Sequence, residues 1–283
     1  MNANLTMIRA VLILLVLPNL NGLRDVKISR RALAKYTLPI PLLLQQPKPA
    51  TASLFPFPIP ADSFDTKNTY VMLATGSTIS SSERLETNPL FLTNVENKLS
   101  EFGREQIVNA TTLLESYEEG VLSPTIVKFP TARATEEAAD IVANLANIGR
   151  DRVVPEFTFL DGRGAGDLNG GNPTTVRSML REIDERGDRP KPTIDGTPNE
   201  TLEDVRIRLR QVLSVLETQY AGETILLIFA DGLTPGVLLA SCFEANSNEF
   251  AKSSWNLFLN EGEMIAFDAR GWSRIEHTKN EDV

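Results

Sequence analysis

The strongest constraint on the fold is an alternation. Short, nearly continuous apolar runs rich in β-branched residues take turns with longer stretches whose apolar residues recur every three to four positions. The run Thr224-Ile-Leu-Leu-Ile-Phe229 is apolar at five consecutive positions, as a strand buried on both faces must be. Just before it, Leu202, Val205, Leu209, Val212 and Leu216 mark one face of a helix over Thr201–Tyr220. By the same reasoning Thr69–Ala74, Thr125–Phe129 and Met264–Phe267 read as strands. Asn97–Tyr117, Ala132–Ile148, Thr174–Glu185 and Pro235–Phe243 read as helices. Strand and helix in turn predict an α/β fold of three layers, α/β/α, around a mostly parallel central sheet. In such a sheet ligands sit beyond the carboxyl ends of the strands.

Charge divides the chain into parts. Residues 1–52 hold seven of the 28 Lys and Arg but one of the 37 Asp and Glu, which leaves 21 bases against 36 acids and a charge near −15 for the rest. A basic, acid-poor head on an acidic body has the composition of a targeting segment and is set apart from the fold. The Pro-rich stretch Phe55–Pro60 makes residues 53–68 an extended lead-in, and residues 69–283 read as a single domain. The acidic body argues against nucleic acid as a partner. A single cysteine, Cys242, excludes an internal disulfide and a cysteine zinc cluster, and it reads as a small buried residue. A single histidine, His277, excludes any mechanism that needs two imidazoles.

Within the head, Ser29-Arg30-Arg31-Ala-Leu-Ala-Lys35 resembles a twin-arginine translocation motif. An apolar run, Tyr36–Leu44, and then Ala50-Thr51-Ala52 follow it, which predicts cleavage after Ala52. With 28 residues ahead of the motif, the resemblance implies a lumen-targeting peptide and a mature protein in the chloroplast thylakoid lumen; secretion or a periplasmic location is the alternative. The apolar stretch Met7–Leu17 is too short to span a bilayer, so no membrane anchor is expected in the mature chain.

At the end of the first strand stands Ala74-Thr75-Gly76. Further along come Leu99-Ser-Glu-Phe-Gly103-Arg-Glu-Gln106, Pro130-Thr-Ala-Arg133-Ala134, the Gly-rich loop Leu160–Gly170, Asn199-Glu200-Thr201 with Arg208, and Ile228-Phe-Ala-Asp231-Gly232. In this order the segments resemble those of the histidine phosphatase superfamily, the phosphoglycerate mutase-like fold. The resemblance covers roughly Thr69 to Phe243. Position by position it puts Ala74 and Thr75 where the family has an arginine and its nucleophilic histidine. Gly162 stands at the proton donor and Asp231 at the second histidine; Arg133 alone keeps the family residue. A carboxylate at position 231 repels a phosphate dianion and is a weak base for the Thr75 hydroxyl.

The resemblance therefore implies a degenerate member without catalytic residues, acting as a binding or scaffold subunit of a photosynthetic membrane complex, with protein partners there. The alternative is a phosphatase or mutase with non-standard site residues. An ion pair between Arg133 and Asp231 is expected, and Arg133, Thr75 and Asp231 are the candidates to hold a small anionic ligand. No cofactor and no metal are expected, since Asp161, Asp167 and Asn169 lack the spacing of an EF-hand loop. Asp184 and Glu185 read as solvated surface, and Trp255, Phe258 and Trp272 as core or edge packing.

Overall fold

A computed structural model describes residues 66–83, 97–117, 122–194, 196–243 and 249–275. Arg30, Arg31, Ala50 and Ala52, the lead-in through residue 65 and His277 lie outside the described residues.

Six strands form one sheet: β1 (Thr69–Ala74), β2 (Ile126–Phe129), β3 (Val153–Pro155), β4 (Thr224–Phe229), β5 (Met264–Asp268) and β6 (Gly271–Ile275), in the order β3-β2-β4-β1-β5-β6. The first four run parallel, while β5 lies antiparallel to β1, and β6 to β5. Among the described residues seven α-helices accompany them: α1 (Ile79–Ser82), α2 (Glu101–Ser116), α3 (Arg133–Leu145), α4 (Pro173–Glu185), α5 (Leu202–Gln219), α6 (Leu233–Phe243) and α7 (Phe250–Asn256). The α/β expectation holds.

The pleat divides the core. Tyr70, Met72, Ile225, Leu227 and Phe229 point to one face, where the α5 stripe and α6 cover them. Val71, Leu73, Leu226 and Ile228 point to the other, under α2 and α3 through Ile107, Leu114, Ala138 and Val142. Burying two faces requires strands that are apolar at every position, which is why β1 and β4 stood out in the sequence. Helix starts are set locally. Ser100 accepts from the Gly103 N–H to cap α2, Asn172 precedes Pro173 at the start of α4, and Thr201 and Asp204 cap each other at the start of α5.

Besides the one-turn helix α1, three elements go beyond the sequence reading. β3 is only three residues long, β6 is a polar edge strand, and α7 lies between α6 and β5. Trp272 stands on the edge strand β6 and is 43 % exposed, so of the expected core or edge packing it takes the edge position. No helix among the described residues is long and apolar enough to cross a membrane.

Candidate functional site

β1 and β4 are neighbours in register, Ala74 beside Phe229, so their carboxyl ends deliver Thr75 and Asp231 to the same place. Both residues line a cavity of about 410 Å³, together with Gly162, Arg177, Trp255 and Phe258.

The floor is built by close backbone approach. A Cβ on Gly76 would lie 2.3 Å from the Gly103 carbonyl oxygen, and one on Gly103 would lie 2.0 Å from that of Ser77. Only glycine at both positions lets the strand-end turn rest on the start of α2. The turn is pinned by Gln106, which accepts from the Ser77 N–H at 2.8 Å and donates to the Glu261 carbonyl at 3.1 Å. Leu99, Ser100, Gly103 and Gln106 are thus a packing unit that holds Thr75 in position.

The Gly-rich loop forms the opposite wall. Glu200 accepts from the Gly164 N–H at 2.9 Å and pairs with Arg208, which donates to the Phe159 carbonyl at 2.7 Å. Arg163 turns inward. Its guanidinium makes two bonds to Asp184, at 2.6 and 2.7 Å, and its Nε donates to the Glu200 carbonyl; both side chains of the pair are almost fully buried. The Trp255 indole N–H donates to the same Asp184 at 2.9 Å. Asp184 is therefore an interior anion joining the loop, α4 and α7, not the surface residue that was expected. The missed signal was the spacing of Val176, Leu180 and Asp184, one buried stripe along α4.

Both carboxylate oxygens of Asp231 accept from backbone. Its Oδ2 accepts from the Arg163 N–H and its Oδ1 from the Thr234 N–H in the first turn of α6, each at 2.7 Å. A Cβ on Gly162 would lie 2.9 Å from Oδ2, so the missing side chain at 162 and the carboxylate at 231 share one space.

The expected ion pair between Arg133 and Asp231 does not form. Arg133 opens α3, and helical spacing puts Glu136 and Glu137 beside it at 2.6 and 3.8 Å, with the side chain 38 % exposed. It is not part of the cavity lining. Of the three candidate ligand-binding residues, Thr75 and Asp231 are brought together and Arg133 is not. The cations lining the cavity are instead Arg163, neutralised by Asp184, and Arg177, exposed and 4.7 Å from the centre of the Phe258 ring. Trp255 and Phe258 pack against the core, in line with the expected core or edge packing, and stack as a wall of the cavity.

Thr75 is 5 % exposed, and its Oγ1 makes no hydrogen bond. In the Gly-rich loop Asp167 is exposed, and burial beside Glu200 and Asp231, against the opposing pull of Arg208, pushes Asp161 up to about 6. Among the described residues no three acidic, histidine or cysteine side chains gather as a metal site. Cys242 packs against the core, and burial pushes its thiol up to about 12, which makes it a poor nucleophile.

A family model described as histidine phosphatase superfamily (branch 1) matches residues 86–273. Among solved structures, a mycobacterial glucosyl-3-phosphoglycerate phosphatase is similar at 18 % identity with a TM-score of 0.54, over 73 % of this chain and 96 % of that one. YhfR of Bacillus stearothermophilus is similar at 19 % identity with a TM-score of 0.51, over 76 % and 98 % of the two chains. No curated protein sequence matches.

Proposed function

The chain belongs to the histidine phosphatase superfamily, and from that premise we propose that it is a member without phosphoryl-transfer activity, acting as a binding or scaffold protein. One observation carries the reading: Thr75 and Asp231 occupy the two adjacent strand ends, with both Asp231 oxygens already held by backbone N–H groups. Transfer through a phosphohistidine needs an imidazole that attacks and positive groups around the equatorial oxygens. The chain has one histidine in all, so two imidazoles are out of reach. Arg133, which alone keeps the family residue among the functional positions, is engaged by Glu136 and Glu137. Incubated with p-nitrophenyl phosphate or phosphoglycerates, the purified protein is expected to give no turnover above buffer and no acid-labile phosphohistidine.

A second reading, a phosphatase or mutase with non-standard residues, is favoured by the persistence of the cavity and by the unpartnered Thr75 hydroxyl inside it. Turnover that disappears in Thr75→Ala would establish it in place of the first.

We further infer the compartment from Arg30-Arg31 and Ala50-Thr-Ala52, which support passage to the thylakoid lumen and protein partners at a photosynthetic membrane complex. Subfractionation of chloroplasts, with mass spectrometry of the co-purified proteins, tests both. Recovery with secreted or periplasmic proteins would replace this location.

A further inference from the structure

The cavity at the ends of β1 and β4, about 410 Å³, is poor in groups that could hold an anion. Of its lining side chains, Arg163 has its charge cancelled inside the wall by Asp184. What remains is one exposed cation, Arg177, against two acids, Asp231 and Glu261. Asp231 accepts one backbone N–H on each oxygen, and a carboxylate oxygen has room for a second donor. Beside it Thr75 is 5 % exposed, and its hydroxyl, without a hydrogen-bond partner, is a buried polar group that a ligand would satisfy. Trp255 and Phe258 supply a flat aromatic wall, and the chain's own Arg177 shows what such a wall accepts: a guanidinium, 4.7 Å from the Phe258 ring centre.

We propose that this cavity binds an alkyl guanidinium or ammonium group, its head on Asp231 and Thr75 and its stem along Trp255 and Phe258. The polarity of the site is thereby reversed, from an anion pocket to a cation pocket. The inference rests on the reading that the site no longer transfers phosphoryl groups. Two sources present this chemistry, a free small cation and an arginine or lysine side chain of a partner protein.

The test is calorimetric titration of the intact protein with n-butylguanidinium, with the blocked peptide acetyl-Gly-Arg-Gly-amide, and with inorganic phosphate. Binding of either cationic probe below about 10 mM, with none for phosphate, is the expected result. The tighter of the two cationic probes identifies the source. Asp231→Asn should weaken that binding about 10-fold, and Thr75→Val and Glu261→Gln each about 3-fold. Because Asp231 also caps α6, the last two variants carry the test if Asp231→Asn does not fold. Silence with both cationic probes, or phosphate bound more tightly than either, overturns the proposal. Turnover of a phosphate ester would overturn the non-catalytic reading instead, whatever the titrations give.

Discussion

Asp184 is the residue on which the interior polar network turns, since it holds the Arg163 guanidinium with two bonds and the Trp255 indole with a third. Removing it in Asp184→Ala leaves a buried cation without its counter-ion, and the expected loss is about 3–5 kcal/mol in urea unfolding. Replacing both partners, Arg163→Met with Asp184→Leu, should recover most of that loss, because no charge is then left to desolvate. Asp161 provides a second prediction, on pH. Its carboxyl titrates at about 6 in the fold against 3.8 in the unfolded chain, so the native state keeps a proton that the unfolded state has released. Stability from this group is fully present below the unfolded value, declines as pH rises toward 6, and is level above it. Asp161→Asn should remove that decline and raise stability at neutral pH by on the order of 1 kcal/mol. Other carboxyls, such as Asp268 beside Arg270, are held low and contribute the opposite slope. The comparison of variant with wild type by denaturation in acid and at neutral pH therefore isolates the Asp161 part.

At the scale of elements, the contact between the β1 end and α2 is a joint of close backbone approach. Gly103→Ala would gain about 1 kcal/mol of helix propensity, but its Cβ would lie 2.0 Å from a backbone oxygen that cannot swing aside. The clash wins, and a net loss of about 2 kcal/mol is expected by thermal unfolding. Such joints explain what was legible in the sequence. β1, β4 and the long amphipathic helices declare themselves because burial on fixed faces imposes a period. The motifs Leu99–Gln106 and Leu160–Gly170 are visible because tight approach restricts residue type. β3, with three residues, and β6, whose Trp272 and Ser273 are exposed, carry no period and are placed only by their neighbours. The outward turn of Arg133 was within reach, since Glu136 and Glu137 stand at helical spacing from it. Family position alone predicts a pair with Asp231, and local pairing prevails over it.

At the scale of the whole molecule the strand order decides function. The chain crosses from β1 to the far side of the sheet before β4 returns beside it, so residues more than 150 positions apart share one cavity; sequence spacing alone does not reveal that. The same scale governs charge. From residue 53 onward there are 36 acids against 21 bases, an excess near −15 that repels itself across the folded surface. Added salt acts on two opposing terms. It weakens exposed ion pairs such as Arg181 with Glu185, each worth about 0–1 kcal/mol, and it relieves the net repulsion. The Arg163 and Asp184 pair, with side chains 2 % and 1 % exposed, is shielded from salt and contributes to neither. Because the pairs are individually weak and the excess is large, repulsion dominates, and the melting temperature of the chain cut after Ala52 should rise by a few degrees between about 10 and 200 mM sodium chloride. A variant with several exposed glutamates changed to glutamine should melt higher at low salt and respond less to the added ions. A fall in melting temperature with salt would mean that ion pairs, and not the net charge, set the balance.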